Sequence, residues 1–281
     1  MPPGLHRVIL CADDFALHAG ADRAIRQLAA VGRLDAVSCM TRSPGWLAAA
    51  AALLDLPAGL QTGVHLNLTE AGVASEGDHC RPLPRMLIES FARLLPRQHI
   101  RATIERHLDA YEQALGKPPD YVDGHQHVHQ LPGVIEELTA VLARRYPRER
   151  RPWLRDTTPP SGLSSRKAWI IASTRSWRWP SMLERHGLRS NPAFIGVYDF
   201  VADRTRYVAA IKSGLMACPD CTLMMCHPAV GPASAGDTIA AARQMEYEFL
   251  SSAAWADLLA EAGCVAGIGS VARHATEVAC G

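Results

Sequence analysis

The amino-acid sequence predicts an α/β protein built on a mostly parallel β-sheet. Strand-like and helix-like segments alternate from the start of the chain, and this alternation is typical of repeated β–α units. Of the 281 residues, 48% are hydrophobic and 20% are charged, which is ordinary for a globular enzyme with a sizeable core. The length permits one large domain or two small ones, and the pattern alone leaves the sheet either open or closed into a barrel.

The first hundred residues predict three strands and two helices. Apolar runs indicate buried strands at 7–12, 36–40 and 62–68. Helical periodicity follows the first two strands, over 20–31 and 46–54. The segment 70–98 mixes Gly, Pro and polar residues, so we expect a loop insertion after the third strand rather than a regular element.

The rest of the chain continues the alternation, with one interruption. A helix is predicted over 99–115 and a fourth strand over 120–123, and Pro132 opens a helix that ends near Tyr146. The segment 148–191 is rich in Arg and Trp and shows no clear strand pattern. Beyond it the pattern predicts a strand at 194–197, a helix at 203–216, a strand at 222–226, a helical stretch at 238–262 broken near Ser251–Ser252, and a short strand around Val265.

The bulk properties exclude several classes of protein. A formal net charge of +1 gives no global attraction to nucleic acid or anionic lipid, so we expect no nucleic-acid partner. The only early apolar run ends at two aspartates, which fits neither a signal peptide nor a membrane span. The eight cysteines lack disulfide-framework spacing, so we expect reduced thiols and a cytoplasmic location. The lone CxxC of Cys218 and Cys221 is interpreted as a turn before a strand rather than a zinc site.

Carboxylates and imidazoles recur at the predicted strand ends. Asp13 and Asp14 end the first strand, His65 lies in the third, His125 follows the fourth, and His227 follows the late apolar strand. The carboxyl ends of parallel strands share one edge of the sheet, where such folds bind ligands. One carboxylate and two imidazoles from different strands can form a three-point metal site with open positions for water and substrate.

Each of these residues has a simpler interpretation when taken alone. An aspartate pair after a strand is more often a helix cap or a salt-bridged turn. His65 inside an apolar strand is more often a hydrogen-bonded core histidine. Because all of these groups fall at strand ends, their joint occurrence favours a metal-dependent active centre.

Four motifs together resemble the YdjC family of carbohydrate deacetylases. They are ADDF at 12–15, GVHLNLT at 63–69, VDGHQHVH at 122–129 and MCHPA at 225–229. The resemblance runs over nearly the whole chain and implies a single domain over 1–281, folded as a distorted (β/α) barrel. Departures at Ala16, Gly124 and Ala229 are expected to change loop shape and substrate fit rather than the chemistry.

The resemblance also implies a role for each strand-end residue. Asp14, His65 and His125 correspond to the metal ligands, Asp13 to the general base and His227 to the general acid that protonates the departing amine. The metal expected from the family is Mg²⁺ or Zn²⁺, and residue types do not decide between them.

The run of three histidines requires a choice of ligand. In an extended chain His125, His127 and His129 point to the same side, yet they are too far apart for all three to bind one metal. His125 directly follows the strand and matches the family position, so it is the predicted ligand, with His129 as the alternative. His129, His127 and Asn67 are the predicted substrate contacts.

The predicted activity is removal of the acetyl group from an N-acetylated sugar, either chitooligosaccharide-like or a lipid-linked N-acetylglucosamine. Two alternatives are a metal-dependent phosphoesterase, although phosphate-binding glycine loops are absent, and a non-catalytic sugar-binding relative, which would need neither Asp13 nor His227.

Membrane contact is expected only through a lipid-linked substrate, because the tryptophans of 148–179 are interpreted as core residues of ordinary helices. A homodimer is expected on general frequency alone. Arg243 and Glu246 share a helix face and are interpreted as an intrahelical pair.

Overall fold

The structure, a computed structural model, describes residues 5–234 and 236–267. Within these residues the centre of the molecule is a sheet of eight strands, ordered β5-β4-β3-β2-β1-β7-β6, with β8 paired to β1. All strand pairs are parallel, as the alternation of β and α segments predicts. The strands are β1 (His6–Phe15), β2 (Ala36–Cys39), β3 (Gln61–Leu66), β4 (Tyr121–Gly124), β5 (Trp153–Leu154), β6 (Phe194–Ile195), β7 (Thr222–Cys226) and β8 (Cys264–Ala266).

The sheet curves into a distorted barrel. The backbone N–H of Leu154 in β5 donates to the carbonyl of Arg189 at 2.8 Å, and Leu154 forms a single parallel bridge with Ser190. The N–H of Phe194 in β6 donates to the carbonyl of Thr158 at 2.9 Å. Isolated hydrogen bonds rather than a full ladder therefore join the region of β5 to that of β6, the two edge strands of the sheet. The predicted distorted (β/α) barrel is confirmed.

Ten helices of the described residues surround this sheet. They are α1 (Ala19–Ala30), α2 (Trp46–Leu53), α3 (Leu83–Phe91), α4 (Arg97–Leu115), α5 (Val134–Arg145), α6 (Arg166–Ser173), α7 (Trp179–His186), α8 (Arg204–Ala217), α9 (Ala240–Ser251) and α10 (Ala253–Glu261). Helix α4 ends at Gly116, whose φ of 66° is the left-handed conformation that glycine adopts without strain. The predicted break at Ser251–Ser252 separates α9 from α10. No helix of the described ranges is long and apolar enough to cross a membrane.

Burial explains why the central strands form. Every residue of β1 from Val8 to Phe15 is buried, as is every residue of β7. A parallel strand that is buried on both faces needs an apolar residue at nearly every position rather than an alternating pattern. Helix α1 shows the complementary pattern, because Ala24, Ile25 and Leu28 are buried on one face.

Two segments contain more regular structure than the sequence pattern predicts. The segment 70–98 was expected to be a loop insertion, but it contains α3, of which only Met86 and Ser90 are buried. The segment 148–191 contains β5, α6 and α7. These elements are short, and the mixed composition of the two segments predicts no regular element, so the sequence pattern did not reveal them. In addition, Trp169 and Trp177 are 46% and 76% exposed, so only part of the tryptophans are core residues.

Candidate active site

The predicted site residues meet in one cavity at the carboxyl ends of the strands. The cavity has a volume of about 470 Å³. Its lining includes six of the predicted site residues: Asp13, Asp14, His65, His125, His127 and His227. Asn67 and His129 are not among the described residues that line it.

A bulge in β1 brings both aspartates to this cavity. The pairing of β1 with β2 shifts register between Ala12 and Phe15, and Asp14 has a φ of 70°. Neighbouring side chains in a regular strand point to opposite faces, whereas a bulge with a left-handed residue redirects one of them. Such a conformation is uncommon for a residue other than glycine, and residues that adopt it cluster at functional sites.

Asp14, His65 and His125 form a compact cluster. One potential ligand atom of each lies within 4.8 Å of those of the other two. Asp14 Oδ1 is 3.1 Å from His125 Nδ1 and 3.5 Å from His65 Nε2. Burial alone would raise the pKa of Asp14, but Arg243 and His125 hold it well below its usual value. A carboxylate and two imidazoles that converge in this way can hold a divalent cation.

Asp123 orients His65 within this cluster. Its Oδ1 accepts a hydrogen bond from His65 Nδ1 at 2.7 Å, and its Oδ2 accepts one from Ser38 Oγ at 2.7 Å. Burial lowers the pKa of His65, but Asp123 and Asp14 raise it to about 10. A carboxylate on Nδ1 fixes the ring orientation and leaves Nε2 toward the ligand position. The sequence pattern predicted no role for Asp123, although Asp123 lies directly before Gly124 and His125 in the third motif.

Asp13 is held by a fully buried arginine. Arg155 donates from its two terminal nitrogens to Asp13 Oδ2 at 2.7 Å and Oδ1 at 2.6 Å, and it also pairs with Asp123. Burial opposes ionisation of Asp13, but Arg155 lowers its pKa far enough to keep it ionised. Arg155 directly follows β5, and sequence reasoning missed it because the segment around it shows no strand pattern.

His227 approaches Asp13 from the end of β7. Its Nε2 is 3.8 Å from Asp13 Oδ2, and its Nδ1 is 3.8 Å from Glu246 Oε1. Glu246 accepts a hydrogen bond from the His227 backbone N–H at 2.5 Å and another from the Tyr198 hydroxyl at 2.6 Å. The edge of Phe200 contacts the imidazole, with ring centres 5.1 Å apart. Glu246 and Phe200 therefore fix the position of His227.

The interpretation of Arg243 and Glu246 as an intrahelical pair was wrong. Both are buried and extend from α9 toward the cavity, where they contact different partners. A terminal nitrogen of Arg243 donates to Asp14 Oδ2 at 2.7 Å, and its Nε lies 3.1 Å from Asp237 Oδ2. Two side chains three residues apart on a helix can pair with each other, but they can equally well contact different residues of a neighbouring site, as Arg243 and Glu246 do.

The three histidines do not lie on an extended chain. His125–Gln130 is a 3-10 turn in which Gln126 and His127 have positive φ angles of 52° and 61°. His125 faces Asp14, and His127 lines the cavity with its ring edge-on to Phe194. His129 is fully buried, and its Nε2 donates to the Arg155 carbonyl at 2.7 Å. The expectation that all three point to one side was therefore wrong, because the turn separates them.

Asn67 stabilises the turn after β3. Its Oδ1 accepts hydrogen bonds from the backbone N–H groups of Thr69 and Glu70 at 3.1 and 2.8 Å, and its Nδ2 donates to the Glu70 carbonyl at 2.9 Å. These bonds use the side chain within its own turn. Substrate contact by Asn67 and His129 stays a prediction.

Comparison with known proteins identifies sequence relatives of this chain. A family model described as YdjC-like protein matches residues 7–261. A Mus musculus protein named carbohydrate deacetylase is 30% identical over 219 residues, which are 68% of this chain and 66% of that protein. Its Homo sapiens counterpart is 29% identical over 215 residues, covering 68% and 63%. The chain thus spans just under two thirds of the length of these curated relatives. A chitooligosaccharide deacetylase from Enterobacter sp. (strain 638) is 26% identical over 145 residues, covering 49% and 56%.

Solved structures with the same fold have distant sequences. The Enterococcus faecalis V583 protein EF3048 superposes with a TM-score of 0.69 at 18% identity, over 95% of this chain and 99% of that one. The Agrobacterium tumefaciens C58 protein ATU2773 superposes with a TM-score of 0.50 at 8% identity, over 96% and 91%. At these identities the likeness establishes the fold alone.

Proposed function

We propose, because this chain belongs to the YdjC-like protein family, that it is a metal-dependent hydrolase that removes the acetyl group from an N-acetylated sugar. One observation carries the proposal. The ligand atoms of Asp14, His65 and His125 converge beside an ionised Asp13 and a histidine, His227, in a single cavity. The names of the curated relatives, carbohydrate deacetylase and chitooligosaccharide deacetylase, support the same reaction.

The cluster of Asp14, His65 and His125 fits a divalent metal ion. All three donors are compatible with Zn²⁺, and the two imidazoles favour Zn²⁺ over Mg²⁺. Metal-binding histidines commonly donate their second ring N–H to a carboxylate, as His65 does to Asp123. When bound, the ion would lower the pKa of a water molecule and polarise the acetyl carbonyl.

Asp13 is the group that accepts a proton from the attacking water. It is ionised at neutral pH because Arg155 compensates its charge, and the two-point contact with Arg155 fixes its orientation. A general base must already be deprotonated and lie within reach of the water. Its neighbour Asp14 faces the other two proposed ligands, so the two carboxylates divide base and ligand roles.

His227 is the group that donates a proton to the departing sugar nitrogen. Its Nε2 lies 3.8 Å from Asp13 Oδ2, so the proposed acid and the proposed base are close enough to contact the same acetamide group. Cleavage of an amide requires protonation of the nitrogen, because an unprotonated amine anion is a very poor leaving group. Glu246 holds the His227 backbone in place for this transfer.

A panel of acetylated sugars tests the proposed function. Acetate release would be measured from N-acetylglucosamine, chitooligosaccharides, and lipid- and nucleotide-linked N-acetyl sugars, each with and without a chelator. We expect chelator-sensitive release from at least one N-acetyl sugar, and release from the same sugar that is slower by about a hundredfold or more with the Asp13→Asn variant. A protein that binds metal but releases no acetate from any member would contradict the proposal. Hydrolysis of phosphate esters by the same preparation would indicate a phosphoesterase instead.

A further inference from the structure

The two oxygens of the Asp14 carboxylate have different partners. Oδ1 faces both histidines of the cluster, at 3.1 Å from His125 Nδ1 and 3.5 Å from His65 Nε2. Oδ2 points the other way and accepts a hydrogen bond from Arg243 at 2.7 Å. A carboxylate can bind a metal through one oxygen or through both. Here the second oxygen is already engaged.

We propose that Arg243 restricts Asp14 to binding metal through one oxygen and thereby selects against cations that prefer oxygen-rich coordination. This inference rests on the metal site of the proposed function and adds a determinant of its metal selectivity. Arg243 is inferred to act through Asp14, so it is a positioning residue. It acts by keeping Oδ2 of Asp14 away from the metal position.

Arg243 is fixed in place from three directions. Its Nε lies 3.1 Å from Asp237 Oδ2, and Asp237 is itself 3.3 Å from His18 Nε2. A further nitrogen of Arg243 lies 3.5 Å from the His227 carbonyl. The residue is only 3% exposed. Withdrawing the guanidinium from Asp14 would leave a buried charge with fewer partners, which is unfavourable.

The effect on selectivity can be separated from the effect of charge. The positive charge of Arg243 repels every divalent cation to a similar extent, so its removal changes all their affinities in the same direction. The number of carboxylate oxygens that can bind the ion, in contrast, affects each metal differently. Zn²⁺ is satisfied by four ligands that include imidazole, whereas Mn²⁺ favours sites rich in carboxylate oxygens. The ratio of the two affinities therefore reports on the state of Asp14 Oδ2.

The test is the ratio of Zn²⁺ to Mn²⁺ dissociation constants in two variants that remove the guanidinium. Arg243→Met removes every hydrogen-bond donor of the side chain. Arg243→Gln keeps an amide that can still donate to Asp237, and it is the second variant to use if Arg243→Met fails to fold. Metal-free proteins would be titrated with each ion in competition with a chromogenic chelator. We expect the ratio of the Zn²⁺ to the Mn²⁺ dissociation constant to rise by about tenfold or more in either folded variant. Loss of a hydrogen bond to a metal ligand typically changes metal affinity on this scale.

A control variant separates this effect from the general loss of an ion-paired arginine. Arg145 pairs with Glu112 and does not line the cavity, so Arg145→Met should leave both constants unchanged. Equal changes for Zn²⁺ and Mn²⁺ in a folded Arg243 variant, or no change, would overturn the inference. If the unaltered protein bound neither ion, the proposed metal site itself would be wrong. The two failures are therefore distinguishable.

Discussion

Asp13 and Asp14 are adjacent in the chain, yet each is neutralised by a different buried arginine. Arg155 contacts Asp13 and Arg243 contacts Asp14. A buried carboxylate without a cationic partner would be strongly unfavourable, so these pairs allow two ionised aspartates to lie side by side. The arginines are 142 and 229 residues away from their partners. No local pattern in the sequence could therefore reveal these pairs.

Removal of Asp14 tests its role as a ligand. We expect Asp14→Ala to abolish binding of divalent cations at this site, because the remaining histidines lack the one carboxylate of the cluster. Metal content after equilibrium dialysis, measured by mass spectrometry, is the readout. Stoichiometric metal in a folded Asp14→Ala protein would refute the assignment. Asp13→Asn serves as the matched control, because it changes the adjacent carboxylate and should retain the metal.

The same control variant tests the general base. We expect Asp13→Asn to lower kcat by roughly 10²–10⁴-fold, because an amide cannot accept the proton of the attacking water. Initial rates of acetate release at saturating substrate would be compared for metal-loaded proteins. Full activity of Asp13→Asn would show that another group is the base.

At the scale of elements, the sequence predicts best where burial is most complete. β1 and β7 are buried over almost their whole length, so their apolar runs identify them, and the polar residues at their ends identify the site. α3, α6 and α7 were missed because each is only eight or nine residues long and lies in a segment whose mixed composition predicts no regular element. The turn of His125–Gln130 was missed because two consecutive residues in it adopt left-handed conformations, which are uncommon for residues other than glycine.

Helix α4 supports the turn after β3 through a buried neutral histidine. His107 Nε2 accepts a hydrogen bond from the Asn67 backbone N–H at 3.2 Å, and its Nδ1 donates to the Thr103 carbonyl at 2.9 Å. Burial lowers the pKa of His107 from 6.5 to about 4. A second proton would place two N–H groups opposite each other and break the contact with Asn67.

This histidine makes stability sensitive to acid. A base whose folded-state pKa is lowered contributes stability that is complete above its unfolded pKa, near 6.5, and that is lost as the pH falls toward 4. We expect protonation of His107 to account for about 2 kcal/mol of the unfolding free energy lost between pH 7 and pH 4.5. Urea unfolding at pH 7 and pH 4.5 would compare the protein with His107→Gln, whose amide does not titrate. An equal loss of unfolding free energy in both proteins would contradict the prediction.

At the scale of the whole molecule, the site joins distant parts of the barrel. Its residues come from the ends of β1, β3 and β7, from the turn after β4, and from α9. A ligand that contacts several of these elements at once binds the folded state and not the unfolded chain. Metal binding should therefore stabilise the entire domain by mass action.

Thermal unfolding measures this coupling. A cation at about 100 times its Kd contributes roughly 2.7 kcal/mol, which corresponds to a rise in Tm of roughly 5 °C for a protein of this size. Calorimetric scans with Zn²⁺ or with a chelator would measure the shift. We expect the rise in the unaltered protein and none in Asp14→Ala. An equal rise in both proteins would place the stabilising metal elsewhere.

The most direct test of the account is acetate release by metal-stripped protein before and after metal is restored. With a chitooligosaccharide as substrate, we expect release to fall to background after chelation. One equivalent of divalent cation should restore it in the unaltered protein but not in Asp14→Ala. Release that persists after complete removal of metal, or that returns equally in Asp14→Ala, would contradict a hydrolase centred on Asp14, His65 and His125.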